Sequence, residues 1–141
     1  KVQNDLIEIV KAKDKAYSPL ALYFLIDNNL IESNQKINDL FNILIDEIKF
    51  EKETKNLIIY KKALFNSNFE TENNLLKILK PLINSKSIWK PHALYLLGEY
   101  FYSKNENQKA KEFFYQILEL ENVSPDIRIE TQKRIQRDFS E

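Results

Sequence analysis

A single glycine, Gly98, and four prolines are all that this 141-residue chain has for punctuation. Tight β-hairpin turns need residues that accept positive φ, and glycine is the usual one. A many-turned β fold is therefore excluded, and so is a glycine-rich phosphate loop. Helix remains, and the pattern agrees, because apolar residues recur at spacings of three and four almost throughout.

The spacing predicts eight helices. The first covers Val2 to Ala12, with Val2, Leu6, Ile9 and Val10 on one face. The second opens with Ser18-Pro19, read as an N-cap serine and a first-turn proline, and runs to about Leu30. A third follows Ser33, a fourth spans Glu53 to Asn66, and a fifth follows Thr71. Pro81 should end or kink the fifth, since it lacks the N–H and clashes with the preceding turn. The sixth runs from Trp89 to Tyr102, the seventh from Asn107 to Glu119, and the eighth from Ser124-Pro125 to about Phe139. Linkers of this brevity suit antiparallel neighbours in helical hairpins.

Composition narrows function. Apolar residues form 43% of the chain and charged residues 30%, enough for a core in one soluble domain. Lys+Arg and Asp+Glu are 21 each, so the basic excess of a general nucleic-acid binder is missing. No cysteine is present, which removes disulfides, thiol catalysis and Cys-based metal sites. One histidine, His92, cannot build a His-rich metal centre. No catalytic residues, cofactor or metal are expected. Asp46-Glu47 and Glu119 with Glu121 are carboxylate clusters near helix ends that read as solvated faces. No apolar run is long enough to span a membrane.

The chain repeats. Pro19-Leu20-Ala21-Leu22-Tyr23 is echoed by Pro91-His92-Ala93-Leu94-Tyr95. Asn34-Gln35-Lys36 returns as Asn107-Gln108-Lys109 at nearly the same shift, with Phe41 matching Phe114. That shift is two units of about 36 residues, the length of a two-helix repeat. The expectation is one all-α domain over residues 1–141, a solenoid of hairpins at 18–48, 53–84 and 89–120, capped by a helix at 125–139.

The last unit resembles the tetratricopeptide repeat through Leu94, Leu97-Gly98, Phe101, Ala110, Phe114 and Pro125. Small residues at Gly98 and Ala110 are expected to face each other so that two helices approach closely. The other units depart from the motif, with Ile26 at the Gly98 position and Ile37 at the Ala110 position. The stretch from Leu76 to Phe139 further resembles bacterial single-pass inner-membrane proteins with a periplasmic tetratricopeptide-like domain, related to the ancillary subunit of the Sec translocon. It rests on Leu79-Lys80-Pro81-Leu82, Trp89, Ala93, Leu97-Gly98, Gln108-Lys109-Ala110 and the helix after Pro125. The resemblance implies a membrane helix and a further helix pair upstream of Lys1. It also implies a place at the periplasmic face of the inner membrane. The implied partners are other proteins or peptides, among them translocon components or exported chains, with no catalytic residues.

In such solenoids the first helix of each pair lines the concave face. That places Tyr23, Ile58 and Tyr95 at equivalent outward positions, with Asp27, Lys62 and Glu99 one turn on, then Leu30, Phe65 and Tyr102. The candidate partner groove is Tyr23, Asp27, Ile58, Lys62, Phe65, His92, Tyr95, Glu99 and Tyr102. Tyrosine suits it, since it buries area yet keeps a polar tip. Arg128, Lys133, Arg134 and Arg137 hold every arginine in the chain and form a second candidate, facing lipid headgroups or an acidic partner. The rival readings are a homo-oligomerising structural subunit, a cytosolic adaptor of the same fold, and an enzyme acting through two groove carboxylates.

Overall fold

The computed structural model describes residues 1–139. Among the described residues there are eight α-helices and no strand. They are α1 (Val2–Lys11), α2 (Tyr17–Asp27), α3 (Asn34–Glu47), α4 (Lys52–Asn66), α5 (Glu72–Ile83), α6 (Lys90–Ser103), α7 (Asn107–Glu119) and α8 (Pro125–Phe139). The chain forms two compact units, Lys1–Lys62 and Ala63–Glu141, with α4 running across the boundary.

The repeat is visible in the helix ends. Helix α2 starts at Tyr17 and α6 at Lys90, and the same interval separates the start of α3 at Asn34 from that of α7 at Asn107. Helices α4 and α8 match at both ends at that interval, Lys52 with Pro125 and Asn66 with Phe139. In the first unit α1 packs on α2 and α3, and α2 on α3. In the second, α5 packs on α6, α6 on α7 and α7 on α8. The units share the pairing of their second and third helices, α2 with α3 and α6 with α7, and differ in the α1–α3 and α7–α8 packing. Val10, Leu22, Leu25, Phe41 and Leu44 fill the first core. Leu75, Leu79, Leu94, Leu97, Phe101, Phe114 and Ile117 fill the second.

Two helices close with asparagine where glycine is usual, and α1 is followed by Lys13 at φ 60°. Asn29 after α2 and Asn105 after α6 take left-handed backbone, φ 52° and 62°. In each case the next amide reaches back five residues, Leu30 to the Leu25 carbonyl and Glu106 to the Phe101 carbonyl. These are Schellman closures in which a short polar side chain tolerates the left-handed region that glycine normally occupies.

Ser33 and Thr71 cap α3 and α5 as their positions predict, accepting from the Lys36 and Asn74 amides. Ser124 does the same for α8 through the Ile127 amide. Ser18 is different. It lies inside α2 and is fully buried, donating to the Ile9 carbonyl and accepting from the Asp14 amide, both at 2.8 Å. Asp14 takes over the capping, its Oδ1 accepting from the Ala16 and Tyr17 amides. Pro81 does not stop α5 at once, for the helix continues two residues to Ile83. Gly98 is buried, but the atoms a side chain there would meet first belong to Phe114, not Ala110. A Cβ would stand 2.6 Å from Phe114 Cζ, well inside contact distance.

Candidate functional site

Tyr95, Glu99 and Tyr102 share one face of α6, because their spacings of four and three bring them round one stripe. That stripe is already occupied. Arg134 of α8 lies across it, with its guanidinium carbon 6.0 Å from the Tyr95 ring centre and 5.3 Å from those of Tyr102 and Phe114. Its Nη1 donates to Glu99 Oε2 at 3.1 Å and to the Tyr95 hydroxyl at 3.5 Å. Its Nε donates to Asp138, one turn on along α8. Phe139 closes the end, packing edge-on against Tyr102 and tilted against Phe114. Burial opposes the charge on Arg134, yet the hydrogen bonds it donates to Tyr95, Asp138 and Glu99 outweigh it and raise its pKa.

The first unit also sets a cation over a tyrosine. Lys61 Nζ stands 4.8 Å from the centre of the Tyr23 ring. Burial pushes the Tyr23 phenol up to about 12. Lys62 donates to Asn42 Oδ1 at 2.9 Å, and burial lowers its pKa against the pull of Asp46. Ile58 is 1% exposed and belongs to the core of the first unit. Its expected place on a binding face is corrected on that ground, since no partner can reach it. Asp27 is exposed at the last position of α2.

The remaining groove candidates lie elsewhere. Phe65 packs edge-on against Phe69. His92 lies against Trp89, ring centres 4.7 Å apart, and burial holds its pKa below the ordinary value. Within the second unit, Tyr95, Glu99 and Tyr102 thus come together around Arg134, while His92 lines a separate cavity.

Each of the three arginines has an acceptor within the chain, while Lys133 and Arg137 remain exposed. Arg128 donates from Nη1 and Nη2 to the Leu118 and Leu120 carbonyls at 3.1 and 2.9 Å, closing the end of α7. Arg137 pairs with Asp138, which Arg137 and Arg134 hold below the usual carboxylate range. Among the described residues no group of His, Asp and Glu is arranged to hold a metal ion. Nor is any described helix long and apolar enough to cross a membrane.

A surface that sequence reasoning missed lies on the first unit. A cleft of about 480 Å³ runs between α1 and α2, lined by Leu6, Ile9, Tyr17, Leu20 and Phe24 among others. Tyr17, Leu20 and Phe24 are 66%, 60% and 51% exposed. Helix α2 is apolar on almost every side, the usual mark of a helix buried all round. The spacing of these three residues was the available signal, because it separates them from the inward set Ala21, Leu22 and Leu25.

Among known proteins, no family model, no curated sequence and no solved structure matches this chain.

Proposed function

We propose that this protein is a non-catalytic, protein-binding helical-repeat domain whose partner docks on the α1–α2 face of the first unit. The observation that carries the reading is the row of exposed large side chains Tyr17, Leu20 and Phe24 beside Ile9, which is 38% exposed. Contiguous apolar surface is uncommon on a soluble protein unless something covers it. Tyrosine and phenylalanine are also well represented at protein interfaces. Two ridges with an apolar furrow between them suit the apolar face of an amphipathic helix.

The repeat supports the finer reading of a tetratricopeptide-like solenoid, because α2, α3 and α4 return as α6, α7 and α8 at one interval. The resemblance over Leu76 to Phe139 supports a place at the periplasmic face of the inner membrane, assisting export or envelope assembly. A detergent extract of bacterial envelopes passed over the immobilised protein tests this, with Leu20→Ser/Phe24→Ser as comparison. A translocon subunit or exported chain held by the parent and lost by the variant is the expected result. A partner retained equally by both overturns the α1–α2 assignment.

A second reading draws on the same row. Two copies covering each other's α1–α2 faces would make the protein a self-assembling subunit. Sedimentation across concentration tests it. A mass that rises in the parent and stays monomeric in the variant favours self-assembly.

A further inference from the structure

The second unit contains a cavity that neither the arginine lock nor the α1–α2 face uses. It measures about 630 Å³ and lies between the α5–α6 turn and the α7–α8 turn. Its size falls within the range of ligand pockets, roughly 300–1,000 Å³. Ile88, Pro91, Val123 and Ile127 supply apolar lining. Ile88 is 64% exposed, which leaves a large aliphatic side chain at the surface of the site.

The charge on the lining is mixed, with a small cationic excess. Lys86 and Lys90 both contribute, against the single carboxylate of Glu121. His92 is also part of the wall, and burial lowers the pKa of its ring, disfavouring the charged form. The site therefore combines apolar surface with a small cationic excess. The occupant that complements both is an apolar group carrying a carboxylate.

Two sources have that chemistry, a fatty acid and the carboxyl end of a peptide. The rest of the lining favours the peptide. Asn122 brings an amide, and Ser124, whose oxygen caps α8, keeps its hydroxyl hydrogen to donate, so both can meet main-chain groups. An alkyl chain has no use for them, and covering them with hydrocarbon costs free energy.

We propose that this cavity binds the free carboxyl terminus of a peptide or protein ending in apolar residues. Lys86 and Lys90 receive the carboxylate, while Ile88, Val123 and Ile127 receive the terminal side chains. This rests on the protein-binding reading and adds a second point of contact to it. Its test addresses the second unit alone, so it can fail while the α1–α2 face stands.

Trp89, the only tryptophan, packs against His92 of the cavity wall and reports occupancy. The parent protein is titrated with acetyl-Ala-Leu-Phe as free acid, with the same peptide amidated, and with decanoate. Trp89 fluorescence and calorimetry are read in parallel. The free acid should saturate and bind at least about tenfold more tightly than the amide, the effect of a charged hydrogen bond. Lys86→Gln/Lys90→Gln should abolish that preference, whereas Lys36→Gln on α3 should keep it. Ile88→Ser should weaken both peptides alike. Equal binding of acid and amide by the parent overturns the proposal. So does the absence of saturable binding by either method up to millimolar peptide, or saturable binding of decanoate with none of the peptide.

Discussion

Lys61 holds its ammonium 4.8 Å from the centre of the Tyr23 ring, and Arg134, its counterpart in the repeat, holds its guanidinium 6.0 Å from the Tyr95 ring. A cation from the last helix of each unit thus lies over a tyrosine of its second helix. The two are not equally tied. Arg134 also bonds Glu99 and Asp138 and is close to Tyr102 and Phe114. Its planar, multi-donor head makes that possible, and a lysine ammonium cannot reproduce it.

Arg134→Gln is therefore expected to destabilise the protein by about 2 kcal/mol, as loss of a charged, mostly buried hydrogen-bonding group does. Arg134→Lys should recover only part of that. Lys61→Gln should cost less than about 1 kcal/mol, the scale of a partly exposed cation–π contact. Urea unfolding followed by circular dichroism measures all three. Equal losses for Lys61→Gln and Arg134→Gln would mean that the additional Arg134 bonds contribute nothing.

Gly98→Ala sets two effects against each other. Alanine is the better helix former by about 1 kcal/mol. Its Cβ, however, would lie 2.6 to 2.8 Å from three atoms of the buried Phe114 ring. Overpacking of that kind costs about 1–3 kcal/mol, so the net change should be a loss. Adding Phe114→Leu should return part of it. A raised melting temperature for Gly98→Ala would refute the packing account.

His92 makes stability depend on pH near neutrality. Burial disfavours the charged ring, so the folded pKa lies below the ordinary 6.5. The unfolded chain then takes up its proton at higher pH than the folded chain does. Stability should fall as pH drops through about 6.5 and level off once the folded ring is also protonated. His92→Gln should flatten this limb. Urea midpoints at a series of pH values between about 7.5 and 5 check the sign, and a midpoint that rises on acidification in that window contradicts it.

Arg128 spans two carbonyls at the end of α7, those of Leu118 and Leu120. Lysine is a single point donor and cannot bridge both in the same geometry. Arg128→Lys should therefore cost about 1 kcal/mol and speed amide exchange around the end of α7. Exchange measured by mass spectrometry at that turn is the direct readout. Unchanged exchange would reduce Arg128 to a solvated side chain.

The helices were legible because their signals are local. Ser33, Thr71 and Ser124 mark starts through side chains that accept amides three residues on, which needs no knowledge of the fold. Ser18 carried the same signal and misled, because its hydroxyl found the Ile9 carbonyl of another helix. The candidate site was less legible. Tyr95, Glu99 and Tyr102 share one stripe, but spacing cannot tell an open stripe from one occupied by Arg134. Ile58 was placed by repeat alignment, which transfers positions and not exposure, and it is buried.

What the sequence by itself determined is the all-α architecture, the eight helices and the return of equivalent residues at a near-constant interval. These follow from glycine scarcity, the apolar period and local capping, all of which act within a few residues. Tertiary structure alone decided that Phe114 fills the space beside Gly98, that Arg134 closes the α6 face, and that Tyr17, Leu20 and Phe24 stay exposed. Side-chain burial depends on which helix comes to lie opposite, and that is set by packing between segments far apart in the chain.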